Sequence, residues 1–235
     1  MTLARGPRAI IFDFNGVILD DETWHYEALA GVLRDEGLAL SRDTYDADFL
    51  GVDDEDCFRR AWTGAGREVP TSVESLDLVA RKAASYMRMA RGGWALFPGV
   101  ADTLRRLAAL IPLAINSGAL RSEIAEVLSQ FGLADLFVAV IAGDEHPHSK
   151  PHPEGYLLAL DALRRAPGLA DLPGDACLAI EDAPNGLRAA RAAGMRTLGV
   201  TSSCAEPILK PLADAVLPGL EGQSLGSLTA LLGPW

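Results

Sequence analysis

Six side chains in this 235-residue chain stand where they can act together: Asp13, Asn15, Ser117, Lys150, and the adjacent Glu181 and Asp182. Carboxylates are the hard oxygen donors that Mg²⁺ takes, with waters and a phosphate oxygen completing its shell. Three acids alone would strand several negative charges in one cleft. With a divalent cation and the Lys150 ammonium present, the same cleft becomes locally positive and can hold a dianionic phosphoryl group. Ser117, with backbone N–H groups around Gly118, can hold a further phosphoryl oxygen. Asp13 is then placed as a carboxylate nucleophile, forming an aspartyl phosphate that water hydrolyses in a second step. Phosphoryl transfer rests mainly on positioning and charge neutralisation, and each residue fits one of those tasks. Taken singly, each also has a purely structural reading. Asp13 can cap a turn, Ser117 can N-cap the helix that follows it, Lys150 can be a solvated loop cation, and Asp182 can cap a helix opened by Pro184.

What favours a site over four coincidences is where these residues sit. Each follows a short apolar run: 8–13 (RAIIFD), 112–116 (PLAIN), 136–141 (LFVAVI) and 177–181 (CLAIE), with a fifth run at 196–200 (RTLGV). Continuous apolar runs of this length read as strands buried on both faces. Helix-length segments lie between them. In 100–111, Val100, Leu104, Leu107 and Ile111 recur on one face, and 184–195 opens at Pro184 and closes at Gly194. Strand and helix in alternation predict an α/β fold with a doubly wound parallel sheet, whose ligands bind beyond the carboxyl ends of the strands.

One segment breaks the alternation. Residues 20–94 hold 16 acidic and 9 basic side chains and no strand run, only helical stretches at 23–36, 53–64 and 73–90 broken by Gly37, Gly64, Gly66 and Pro70. This predicts a Rossmann-like core of residues 1–19 and 95–235 with a helical cap domain inserted at 20–94. Gly92-Gly93, next to the return point, suits a hinge.

Composition narrows the function classes. The net charge of −11 repels nucleic-acid phosphates and anionic lipid, so no nucleic-acid or membrane partner is expected. The basic N-terminus leads into an apolar run interrupted by Asp13, so it lacks a signal-peptide core, and no apolar run has the roughly 18 residues of a membrane span. Cys57, Cys177 and Cys204 are an odd number without paired spacing, which points to a reducing cytoplasmic compartment rather than to disulfides.

These motifs resemble those of the haloacid dehalogenase superfamily, in its β-phosphoglucomutase-like phosphatase group. The family's D-x-D-G-[TV] after a hydrophobic strand is matched by IIFDFNGVI, its Ser or Thr after the second strand by LAINSG, its K-P by SKPHPEGY, and its E-D by IEDAPNGLRAARAAG. The order, the strand context and the intervals of 104, 33 and 32 residues from Asp13 to Ser117 to Lys150 to Asp182 fit throughout. The resemblance implies a Rossmann-like core with a small helical cap, and a Mg²⁺ cofactor held by Asp13, the Asn15 backbone carbonyl, Glu181 and Asp182. It also implies Asp13 as nucleophile and Ser117 and Lys150 as phosphate and charge partners. The expected activity is hydrolysis of a small phosphorylated metabolite, such as a sugar or polyol phosphate.

The sequence departs from the family pattern in two places. Asn15 stands where the family has the aspartate that protonates the leaving group and deprotonates the incoming water, and an amide does neither. Such catalysis is worth roughly 10²–10⁴-fold in rate. The second departure is at Gly51-Val52-Asp53-Asp54-Glu55-Asp56, where sugar-phosphate mutases of the group carry an Arg for a second phosphate. Acids there disfavour a mutase and otherwise read as a solvated helix N-terminus. Three alternatives to a phosphatase remain: a phosphosugar mutase, a metal-independent haloacid dehalogenase whose halide leaving group needs no proton, and a catalytically reduced sensor of a phosphorylated ligand.

His25 falls where the family often has a cap-hinge histidine. It either faces the substrate, as a replacement acid–base, or sits on a helix surface beside Trp24 and Tyr26. His146, His148 and His152 surround Lys150, but Pro147 and Pro151 interrupt them without a fixed ligand spacing, and no zinc site is expected. Trp24, Trp62, Trp94 and Trp235 are assigned to packing.

Overall fold

The computed structural model of the protein describes residues 6–90, 93–233 and 235. Its centre is a six-stranded, all-parallel sheet in the order β3-β2-β1-β4-β5-β6, formed by β1 (Ala9–Phe12), β2 (Leu113–Asn116), β3 (Phe137–Ile141), β4 (Cys177–Glu181), β5 (Arg196–Val200) and β6 (Ala215–Leu217). Five strands coincide with the apolar runs. The sixth, AVL, is too short to stand out in sequence and ends against Pro218. Continuous burial holds for β1, β2 and β4. It fails for β3, an edge strand in which Val138 is 50% exposed.

Alternation along each strand sends side chains to two separate cores. Ile10, Phe12, Leu113, Ile115, Leu178 and Ile180 face one side, where α5 (Val100–Ala108), α6 (Arg121–Gln130) and α10 (Leu225–Leu232) pack. Ala9, Ile11, Ala114, Cys177 and Ala179 face the other, against α7 (Glu154–Arg164) and α8 (Pro184–Ala192). The small alanines on that second face let these helices approach the sheet closely. A short α9 (Glu206–Leu209) closes the loop between β5 and β6. Among the described residues, no helix is long and apolar enough to cross a membrane.

The segment between β1 and α5 is helical, as its composition indicates: α1 (Glu22–Asp35), the single turn α2 (Arg42–Thr44) running into a π-helical turn at Tyr45–Phe49, α3 (Asp54–Gly64) and α4 (Ser72–Ala90). The outgoing and returning chains run side by side, with Asp20 N–H donating to Ala95 O at 2.9 Å and Leu19 bridging Leu96. Of the expected Gly92-Gly93 hinge, Gly92 lies outside the described residues. Leu29, Leu33, Phe49, Phe58 and Leu78 of this segment share one apolar cluster with Ala183, Leu187 and Leu209 of the sheet layers, so the helices sit directly over the strand ends.

Candidate active site

The order β2-β1-β4 sets three strand ends side by side, at the point where successive connections leave β1 in opposite directions. Asp13 continues β1, its N–H donating to Ile180 O at 2.9 Å, and Glu181 ends β4 with Asp182 next to it. All three acids are buried. Lys150 is buried as well, not solvated: its Nζ lies 2.9 Å from Asp13 Oδ1 and 2.8 Å from Glu181 Oε1, and Tyr156 OH, from the first turn of α7, donates to the same Glu181 oxygen. Burial works to lower the Lys150 ammonium, but Asp13 and Glu181 outweigh it and hold it above its ordinary value. Burial, then the Asp13 charge, push Glu181 up to about 7 against the opposing pull of Lys150, and burial with Asp13 and Glu181 drive Asp182 well above the carboxylate range.

One ammonium among three carboxylates leaves the pocket short of positive charge. Asp13, Glu181 and Asp182 offer oxygens that all lie within 4.8 Å of one another, and Glu181 Oε2 and Asp182 Oδ2 are buried without a hydrogen-bond partner. A cluster of hard oxygen donors with unsatisfied buried atoms fits a divalent cation such as Mg²⁺. The backbone presses close around it. Gly16 has φ +75°, and a Cβ there would lie 1.9 Å from Asp182 Oδ2 and 2.7 Å from Ser203 Oγ, so the turn after β1 admits only glycine.

Ser117 does not cap the next helix, since α6 begins at Arg121 with Leu120 as its N-cap. Its Oγ instead accepts from Ala119 N–H at 3.1 Å and donates to Asn15 Oδ1 at 3.3 Å, on the cavity wall shared by Asp13, Asn15, His25, Ser117, Gly118 and Asp182. Asp182 likewise is not a helix cap, a place held by Ala183. At Gly118 the opposite layer comes close, because an added Cβ would meet Asp53 N at 3.2 Å. Asp53 N–H itself donates to Ser149 Oγ at 2.9 Å, tying α3 to the loop that carries Lys150.

His25 is buried and turned into this cavity rather than exposed on α1. Asn15 Nδ2 lies 3.0 Å from its Nε2, Asp21 Oδ2 lies 3.1 Å from the same nitrogen, and Lys82 Nζ lies 2.6 Å from its Nδ1. The Lys82 ammonium can only donate, so Nδ1 accepts, while Nε2 lies between the Asn15 amide and the Asp21 carboxylate. The ring stacks on Tyr86 at 4.3 Å, and Tyr86 OH donates to Asp21 Oδ2 at 2.5 Å. Burial and Lys82 lower His25, while Asp21 raises it, with a net upward shift.

Asp21, Lys82, Asp54, Tyr86 and Tyr156 do not stand out in the sequence motifs. Asp54 is not part of a solvated acidic face but pairs with Lys82 at 2.9 Å, while Asp53 caps α3 by accepting from Asp56 N–H at 2.8 Å. A signal for Lys82 existed. The chain has only three lysines against 18 arginines, and two of them, Lys82 and Lys150, are buried beside carboxylates. Trp94 packs as expected and also donates from Nε1 to Tyr86 OH at 3.2 Å. Of the loop histidines, His148 and His152 come together with Glu154, whereas His146 turns inward, its Nδ1 3.1 Å from His148 O.

A family model described as haloacid dehalogenase-like hydrolase matches residues 7–194. The chain is 33% identical over 200 residues to Protein CbbY of Rhodobacter capsulatus, covering 81% of this chain and 84% of that one. It is 32% identical over 238 residues to hexitol phosphatase B of Escherichia coli (strain K12), covering 98% of each. Among solved structures, CbbY from Rhodobacter sphaeroides in complex with phosphate superposes with a TM-score of 0.74 at 26% identity, over 92% of this chain and 96% of that one. In sequence motifs, sheet order and overall match, this chain is an enzyme that belongs to the haloacid dehalogenase-like hydrolase family.

Proposed function

We propose that the protein is a Mg²⁺-dependent phosphatase of a small phosphorylated metabolite, a sugar or polyol monophosphate, acting through an aspartyl phosphate on Asp13. The observation that carries this reading is the buried trio Asp13, Glu181 and Asp182, with orphaned oxygens and the Lys150 ammonium between two of its members. The residues to hold the cation are Asp13, Asp182, Glu181 and the Asn15 backbone carbonyl; when bound, it supplies positive charge to the phosphoryl oxygens. Lys150, its Nζ 2.9 Å from Asp13 Oδ1, orients the Asp13 carboxylate. Ser117 Oγ and the backbone around Gly118 hold phosphoryl oxygens on the other side. Asp13 forms the new bond to phosphorus as the ester oxygen leaves with a proton, and water then releases phosphate and regenerates the carboxylate. Proton handling, which Asn15 lacks, is assigned to His25, oriented by Asp21 and facing the same cavity.

Residues 20–94 serve as a cap domain over a core of 1–19 and 95–235, closing the cavity against water. The hexitol phosphatase relative supports a polyol or sugar phosphate. A mutase fits less well, because the stretch where the mutases of the group carry an Arg for a second phosphate is acidic here, Asp53 to Asp56, and the neighbouring cations Lys82, Arg59 and Arg60 are already paired with Asp54 and Asp56. Three buried free cysteines suit a reducing cytoplasm.

The test is phosphate release from a panel of sugar and polyol monophosphates with Mg²⁺ and with a chelator. Turnover that requires the metal and disappears in Asp13→Asn is expected. Chelator-resistant dehalogenation of a haloacid would replace this reading with the dehalogenase, and ligand binding without any turnover would replace it with the sensor.

A further inference from the structure

We propose that His148, His152 and Glu154 form a second cation site, for a borderline divalent ion of the zinc class, on the loop that carries Lys150. Each offers a ligand atom within 4.8 Å of the other two. His148 Nδ1 lies 2.8 Å from Glu154 Oε2, and the His148 and His152 rings are 4.5 Å apart between centroids. The backbone holds this arrangement: His148 N–H donates to Glu154 Oε2 at 3.1 Å, and Glu154 N–H donates to His152 Nδ1 at 3.3 Å. Pro147, Pro151 and Pro153 restrict φ along the same stretch, which lowers the ordering cost of bringing the ligands together.

The donor set differs in kind from the catalytic trio. Two imidazoles and one carboxylate suit zinc, whereas Mg²⁺ prefers oxygen alone, so the two sites should sort the two ions. His148 and His152 are exposed, which leaves the outer side to water and gives three protein ligands plus solvent. His146, its Nδ1 3.1 Å from His148 O and 3.8 Å from Glu154 Oε2, does not fall within the mutually close ligand set of His148, His152 and Glu154.

The experiment uses the full chain with saturating Mg²⁺. Calorimetry with Zn²⁺ should show one further equivalent bound, and Co²⁺ in its place should give visible d–d absorption. In the His148→Ala/His152→Ala double variant, checked for an unchanged melting temperature, affinity should fall at least about tenfold and the Co²⁺ bands should vanish. In Asp182→Asn both signals should persist. Zinc binding unchanged in the double variant, absent in the wild type, or lost only in Asp182→Asn would overturn the proposal. None of these readouts depends on turnover, so a failure of the phosphatase reading leaves them interpretable.

Discussion

Asn15 Nδ2 donates to both carboxylate oxygens of Asp21, at 3.1 and 2.9 Å. A carboxylate absent from the usual place after β1 is therefore found within hydrogen-bond reach of it, held also by His25 and Tyr86.

Asn15→Asp would set two carboxylates in contact, and like charges sharing a site force one to keep its proton. That neutral carboxyl can protonate a leaving group. Turnover of alkyl phosphates, which need the proton, should rise within about 10²–10⁴-fold, with a smaller gain for aryl phosphates. Rates on matched alkyl and aryl esters decide the matter. If the variant gains nothing, His25→Ala should suppress alkyl turnover and spare aryl turnover; failure of both would leave the proton source elsewhere.

Asp182→Ala should abolish Mg²⁺ binding in a calorimetric titration. The metal-free variant should melt no lower than the wild type, because the substitution removes a buried carboxylate with an unpartnered oxygen. Equal Mg²⁺ affinity in the two proteins would place the cation elsewhere.

Lys150→Met would leave Asp13 and Glu181 facing each other without their ammonium. Removing one partner of a buried ion pair costs about 3–5 kcal/mol, to be read from denaturant unfolding at pH 7.5 with chelator. The deficit should shrink toward pH 5. Burial and the Asp13 charge push Glu181 up to about 7 even with Lys150 beside it, and loss of the ammonium raises it further, so the fold takes up a proton there as pH falls and the repulsion is relieved. A loss under about 1 kcal/mol would mean that Lys150 contributes no net stability.

Burial pushes Asp53 from 3.8 up to about 6. A raised carboxylate costs the fold nothing below the unfolded value, and the cost grows as pH rises through the window from about 4 to about 6. Asp53→Asn keeps an effective N-cap on α3. It should therefore remove this decline and stabilise the protein at pH 7 by up to about 3 kcal/mol, with no gain at pH 3.5. A gain that does not vary with pH would show that the burial cost is not the cause.

Much of the core was legible because its signals are local. Apolar runs of four to six residues mark β1 to β5, and Pro184 and Gly194 bracket α8. The strip AVL of β6 carries too few residues for a period to show, and the half-exposure of β3 depends on its being last in the sheet, which a strand's own composition does not record.

Local residue types carry the alternation of strand and helix, the helical insert, and the four strand ends bearing Asp13, Ser117, Lys150 and the Glu181/Asp182 pair. Each of these is written in residue types within a few positions of one another. The tertiary structure alone decided that Lys150 lies between Asp13 and Glu181, that Lys82 reaches both His25 and Asp54, and that Asp21 takes the amide of Asn15. Those partners come from separate elements, 31 to 137 positions away for Lys150, and only sheet order and the docking of α4 on α1 bring them within about 3 Å. Ionisation follows the same division. A carboxylate's residue type is in the sequence, but the burial and neighbouring charge that set its proton affinity exist only once the strands are side by side.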